Sequence, residues 1–283
     1  MYVSMKNMLE KANAENYAVM AINCFNLETV RSVITAAEQE NAPIIIDIYN
    51  DHLLQHCDSE LITPIVKTLA YRSKINVALN FDHGQEVIDI KKAIDDGFSS
   101  VMVDASRYGL EENITITKGI VNYAHSRGVS VEGEIGCIGA VAGENYTSNS
   151  MYTDPDEAER FIKSTDIDAL AISIGSSHGI YPDGMIPDFD FERLQKIKSL
   201  VNIPLVLHGG SGSGEKNILT CVKYGINKIN VGGDFMTANT DAAKKALEKD
   251  PAINFFDLIT KTERESIITI RNYISLSGSA NKN

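Results

Sequence analysis

Asn76-Val-Ala-Leu-Asn-Phe-Asp82-His83 is followed by a helical pattern from Gln85 to Asp95 that stops at Gly97, and then by Ser99-Ser-Val-Met-Val-Asp104. Both apolar runs are short and read as buried strands. Strand, helix and strand in such close succession argue a parallel pair joined by a helical crossover. The unit recurs in both directions. Upstream lie a short helix candidate at 4–15, the strand Tyr17–Asn23, a helix from about Leu27 to Glu40 with Asn26 placed to cap it, the strand Pro43–Ile48 and a helix at 60–73. Downstream come a helix from Glu111 to Arg127, the strand Val129–Ile135, a polar loop at 136–150 and a helix started by Asp154-Pro155. A strand from Asp168, a helix at 189–200, the run ending at His208, a helix at 214–224 and Ile226–Val231 complete the alternation. Two further helices, at 234–249 and 254–276, precede a stretch at 277–283 that reads as frayed. Eight strands, each followed by a helix, predict a single (β/α)8 TIM barrel over residues 1–283 with extra C-terminal helices. An open doubly wound sheet is the other candidate, but the G-x-G-x-x-G that would favour it does not follow the first strand.

The totals exclude several classes of function. A formal net charge of -12 argues against general nucleic-acid binding, which needs a basic face. No apolar stretch approaches membrane-spanning length, and the first ten residues lack a signal peptide's apolar core. Cys24, Cys57, Cys137 and Cys221 form no C-x-x-C pair and read as reduced thiols, so a cytoplasmic protein is expected.

A barrel of this type carries its active site at the C-terminal ends of its strands. In order, those ends bring Asn23, Asp47, Asp82-His83, Asp104, Glu134, His178, His208 and Asn230 to one rim. Three apolar runs close on histidine: at His83, at His178 in Asp168-Ala-Leu-Ala-Ile-Ser-Ile-Gly-Ser-Ser-His178-Gly179, and at His208 in Ile203-Pro-Leu-Val-Leu-His208-Gly-Gly-Ser-Gly-Ser-Gly214. One such histidine is an ordinary strand end. Three in the same position, each beside Asp or Gly, point to a metal site that leaves a coordination position open. Asp82 is then a candidate acid/base, Glu134 an alternate ligand, and Asp104 a residue that orients an imidazole or caps the next helix. The glycine-rich loop after His208 leads into a helix, and Asn230-Val-Gly232-Gly233-Asp234 forms a second small-residue loop. Loops after strands seven and eight of such barrels commonly bind phosphate. Metal, phosphate and carboxylates together suit aldol chemistry on a sugar phosphate. His52, His56 and His125 receive no role.

These residues resemble the class II (zinc-dependent) ketose-bisphosphate aldolases over nearly the whole chain. The resemblance rests on Phe81-Asp-His83, Val131-Glu-Gly-Glu-Ile-Gly136, Ser177-His-Gly179, Pro204-Leu-Val-Leu-His-Gly-Gly-Ser-Gly212 and Lys228-Ile-Asn-Val231, among other segments. It implies one zinc ion per chain on His83, His178 and His208, with a monovalent cation as a further candidate. It also implies Asp82 as the acid/base at the substrate C4 hydroxyl, and an enediolate intermediate. Dihydroxyacetone phosphate would be held by Asn23, Gly179, Gly209, Gly210, Ser211, Asn230, Gly232 and Gly233. A homodimer or homotetramer is implied as well. Some positions depart from the family pattern. Gly84 follows the Asp-His pair, Tyr49-Asn50 follows strand two, and Tyr181-Pro182 follows His178-Gly179. The loop glutamate is displaced to Glu144, and Gly232-Gly233 stands where a threonine is usual. A zinc enzyme with another substrate, such as an isomerase, and a non-catalytic sugar-phosphate binder are the alternatives. For the aldehyde half, the basic candidates are Arg264 and Arg271 in the tail.

Overall fold

Each strand alternates between the helices outside and the barrel interior, as the two-residue period of a strand requires. In the computed structural model, which describes residues 1–182 and 184–283, the strands are β1 (Val19–Asn23), β2 (Ile44–Tyr49), β3 (Val77–Gly84), β4 (Ser100–Val103), β5 (Ser130–Ile135), β6 (Ala169–Ile172), β7 (Leu205–Leu207) and β8 (Ile226–Val231). All neighbours are parallel, and β8 pairs back onto β1, with Val19 opposite Lys228. The barrel is therefore closed, a (β/α)8 fold, and the open sheet is excluded.

The helices are α1 (Met5–Glu15), α2 (Leu27–Gln39), α3 (Asn50–Gln55), α4 (Ser59–Arg72), α5 (Val87–Asp95), α6 (Leu110–His125), α7 (Pro155–Thr165), α8 (Phe191–Leu200), α9 (Glu215–Lys223), α10 (Gly233–Lys249) and α11 (Phe255–Leu276). Local signals start several of them. The Asn26 side chain accepts the Thr29 N–H, as an N-cap should. Asp154 accepts from Asp156 and Glu157, with Pro155 at the first helical position. The short α3 is not foreseen by periodicity, because six residues are too few to show a helical stripe.

The interior is layered. At the N-terminal end, Ala21, Ile45, Ala78, Met102, Ala169 and Val206 pack with Met5, Met8 and Leu9 of α1, which plugs the barrel from below. Above them the inward positions turn polar: Asp47, Asn80, Glu132 and Lys228 are fully buried. A second, larger apolar layer lies between the strands and the helices.

Two expectations are corrected. The stretch 277–283 is not frayed. Ser277 and Ser279 are buried, the Asn281 N–H bonds the Glu40 carbonyl at 2.9 Å, and the Asn283 side chain accepts the Asn76 N–H at 2.6 Å. These bonds satisfy backbone groups that water would otherwise have to serve. His178 is not at a strand end either: β6 stops at Ile172, and the loop 173–177 intervenes.

Candidate metal and active site

Asp82 and His83 are adjacent, so an ideal strand would send them to opposite faces. The chain avoids this with a register irregularity in β3 between Phe81 and Gly84 and a left-handed backbone at His83, φ 54°. A non-glycine residue there costs about 1–3 kcal/mol. The strain delivers both side chains to one cavity of about 460 Å³ at the C-terminal mouth, a volume suited to a small ligand.

The three histidines converge. One ring nitrogen from each lies within 4.8 Å of the other two. His83 Nδ1 is 3.0 Å from Asp104 Oδ2, and His208 Nε2 is 2.8 Å from Glu132 Oε1. Each carboxylate takes the N–H on its side and so turns the opposite nitrogen, His83 Nε2 or His208 Nδ1, inward. Those two nitrogens stand 3.0 Å apart. Two nitrogen ligands on one tetrahedral ion would be roughly 3.3 Å apart. His178 Nε2 is buried with no hydrogen-bond partner among the described residues. Two imidazoles with fixed tautomers and a third with an orphaned nitrogen fit a divalent metal ion. His178 owes its place to the polar loop at 136–150. Its N–H bonds the Gly139 carbonyl and its carbonyl accepts from Val141, both at 2.8 Å.

Burial works against charge on His83, but Asp82, Asp104 and Glu134 outweigh it and raise the ring to about 10. Burial and the charge of His83 lower His178 to about 4 and His208 well below its usual value. A metal ion bound at His83 would therefore have to displace a proton from it at any pH below about 10. Metal affinity is expected to rise roughly tenfold per pH unit through the neutral range, with about one proton released per ion. Calorimetric titration of the apoprotein in buffers of different ionisation enthalpy measures that proton. No release would place the titrating site elsewhere.

Asp82 is held from two sides. Asn23 Nδ2 donates to its Oδ2 at 2.7 Å, and Asn230 Nδ2 donates to its Oδ1 at 3.1 Å. Burial opposes its ionisation, yet His83, His208 and Lys228 hold it below the usual carboxylate range. Its Oδ1 is 4.0 Å from His208 Nδ1, beside the ligand set without being in it. Asp104 orients His83 and accepts from the Ser106 hydroxyl. It is not a helix cap, since α6 starts after Gly109. Glu134 stands 4.0 Å from His83 Nδ1, with Oε2 buried and unpartnered among the described residues. Burial first, then the charge of Asp104, raises it to about 8.

Gly179, Gly209, Ser211, Gly232 and Gly233 line the cavity with Asn23 and Asn230. Gly209 is required: its φ is 67°, and a Cβ would stand 2.5 Å from the Ser177 carbonyl oxygen. The 17-residue α10 begins at Gly233, so the positive end of its dipole lies at this edge. Gly210 does not join the set. It is not a lining residue, and the Asn230 carbonyl takes its N–H at 3.0 Å. Glu144 is not brought in either. It is exposed on a 3-10 turn, while Ala140 and Ala142 of the same loop line the cavity.

Sequence reasoning placed Asp47 on the rim, but it is fully buried and belongs to a polar layer beneath the rim whose other members, Lys228, Glu132 and Asn80, were missed. Lys228 Nζ contacts Glu132 Oε2 at 2.8 Å and Asp47 Oδ2 at 3.5 Å, and Asn80 and Asn230 donate to Asp47. It also missed His52 and Met236, which line the mouth with Tyr49, a residue singled out in the sequence only as a departure from the family pattern. The first group had a readable signal. Glu132, Asn80 and Lys228 each lie two residues before a rim residue, on the same face of the strand.

A parallel barrel with three convergent imidazoles and a tethered carboxylate at its mouth defines a metal-dependent barrel enzyme. The sequence model described as "Fructose-bisphosphate aldolase class-II" matches residues 3–282, and the chain belongs to that family. It is an aldolase, a carbon–carbon lyase. It is 40% identical over 253 residues to a fructose-bisphosphate aldolase of Geobacillus stearothermophilus, covering 89% of this chain and 88% of the relative. It is 39% identical over 269 residues to a 6-phospho-5-dehydro-2-deoxy-D-gluconate aldolase of Halalkalibacterium halodurans, covering 94% and 92%. The crystal structure of the YdjI aldolase from Escherichia coli K12 superposes with a TM-score of 0.88 at 31% identity, covering 100% of this chain and 99% of that one. Among the described residues, no helix is long and apolar enough to cross a membrane.

Proposed function

We propose that this aldolase cleaves and forms a ketose phosphate whose donor half is dihydroxyacetone phosphate. The observation that carries the reading is Asp82, tethered by Asn23 and Asn230 at the edge of the three-histidine cluster. The two relatives' names also support it. Fructose bisphosphate and 6-phospho-5-dehydro-2-deoxy-D-gluconate both carry a ketone next to a phosphorylated carbon.

The metal we assign to His83, His178 and His208 is zinc, because three imidazoles without thiolate form a common catalytic zinc set. When bound, the ion supplies Lewis-acid polarisation of the substrate ketone and stabilises the charge that develops there. The chain's own groups do the rest. The phosphate rests on the amides around Gly179, Gly209, Ser211 and Gly232–Gly233 at the start of α10. Asp82 accepts the proton of the C4 hydroxyl as the C3–C4 bond breaks. The aldehyde leaves with C4, and the electron pair stays on the donor half until C3 takes a proton from solvent water. Asn23 and Asn230 fix the carboxylate for this transfer. The chain is expected to assemble as a homodimer or homotetramer. Phe255 and Phe256, 75% and 77% exposed at the start of α11, offer apolar surface for such a contact.

Proton exchange on dihydroxyacetone phosphate in heavy water, followed by NMR with and without a chelator, tests the donor assignment without knowledge of the aldehyde. Stereospecific exchange that stops with chelator is expected. No exchange in metal-loaded protein would favour a different donor or a binding role.

A further inference from the structure

The wall of the cavity facing away from the glycine loops has a different chemistry. The small residues come from the loops after β6, β7 and β8. Tyr49 ends β2 and His52 lies on α3 directly after it, three strands round the barrel from β7 and four from β6. The Tyr49 ring packs edge-on to His83 at 6.0 Å and to His52 at 5.6 Å. His52 thus stands one ring beyond the metal cluster. A substrate anchored by its phosphate among the glycines and by its ketone at the histidines presents its other half here.

No lysine or arginine lines the cavity among the described residues. The two tail arginines lie elsewhere in the chain. Arg271 pairs with Glu40 at 2.5 Å, and Arg264 lines a separate depression with Asp250 and Asp257. The carboxylates that act on the wall are Asp51 and Asp82 on both Tyr49 and His52, and Asp104 on Tyr49 as well, while His56 opposes them at His52. Burial, with His56 acting in the same sense, lowers His52 against the pull of Asp51 and Asp82 and so favours the neutral ring. Its Nδ1 is buried and has no hydrogen-bond partner among the described residues. A phosphate dianion would meet carboxylates with no lysine or arginine to offset them, at a desolvation cost. A hydroxyl would meet a neutral imidazole and a phenol that hydrogen-bond it in either direction.

We propose that the half released as aldehyde is an uncharged hydroxyaldehyde recognised by His52 and the Tyr49 hydroxyl, so that this aldolase prefers ketose 1-phosphates to ketose bisphosphates. The inference rests on the proposed function for the donor half and names the class of acceptor.

The first test is condensation by the metal-loaded protein of dihydroxyacetone phosphate with each enantiomer of glyceraldehyde and of glyceraldehyde 3-phosphate. Running it in this direction makes the result independent of product stereochemistry. The better glyceraldehyde should exceed the better phosphate in kcat/KM by about tenfold or more. The second test is calorimetric binding of mannitol 1-phosphate and mannitol 1,6-bisphosphate, which needs no turnover. The monophosphate should bind at least as tightly. His52→Lys, which places a cation in the wall, should shift both ratios toward the phosphorylated ligand by about tenfold. Preference for glyceraldehyde 3-phosphate, or tighter binding of the bisphosphate by the unmutated protein, overturns the proposal and means that a cation reaches the mouth, as from a second copy of the chain. If neither aldehyde condenses, the binding ratio alone decides. Failure of the donor reading shows separately, as absent proton exchange on dihydroxyacetone phosphate.

Discussion

Replacing Asp82 by alanine is expected to lower kcat for carbon–carbon cleavage by about 10²- to 10⁴-fold while leaving the metal content unchanged. The carboxylate is buried, accepts hydrogen bonds from Asn23 and Asn230, and keeps 4.0 Å from the nearest imidazole nitrogen. It is therefore placed to take a proton and not to hold the ion. The isosteric Asp82→Asn preserves shape and removes the proton acceptor, so it should be as inactive. Proton exchange on dihydroxyacetone phosphate should fall far less, within about tenfold, because the role proposed for Asp82 is at the C4 hydroxyl and not at the C3 proton. Metal analysis, cleavage and exchange on the same preparations separate the roles. Loss of metal together with activity would make Asp82 part of the ligand set and remove the acid/base assignment.

Lys228→Met is expected to destabilise the fold by about 3–5 kcal/mol. Lys228 is fully buried and contacts both Glu132 and Asp47. Burial works against its charge, but Asp47 and Glu132 outweigh burial and raise it. Burial also raises Asp47, to about 7, with Lys228 opposing. Without the ammonium, two carboxylates face each other in a dry interior. The double variant Lys228→Met/Glu132→Gln removes one of those charges and should recover part of the loss, a coupling that a denaturant-unfolding cycle measures. Additive losses would show that the lysine is held by packing alone. The pair also reaches the site, because Glu132 fixes the His208 tautomer.

Most of the fold was legible because each strand run is apolar, short and bounded by turn residues. The barrel's closure and the three-histidine convergence follow once eight such runs alternate with helices. Legibility failed where tertiary packing decides. Nothing in Ser277–Asn283 shows that it will find Glu40 and Asn76 across the barrel floor. The Gly209-Gly210 pair looks uniform in sequence, yet only Gly209 faces the cavity, since the Asn230 carbonyl takes the second amide. Glu144 has the right chemistry in the right loop, but its turn points it outward. Asp82-His83 breaks the period-two rule, and the irregularity in β3 that lets it do so leaves no signature in the letters.

The short helix α3 has a practical consequence. Two of the three proposed metal-binding histidines are oriented by carboxylates, Asp104 and Glu132, and the third by the loop after β5, whereas His52 sits on a six-residue insert between β2 and α4. Libraries confined to residues 50–56, which leave Tyr49 against His83 untouched, should therefore retarget acceptor choice without retuning the metal. The barrel then serves as a chassis for making new carbon–carbon bonds from one donor and many aldehydes.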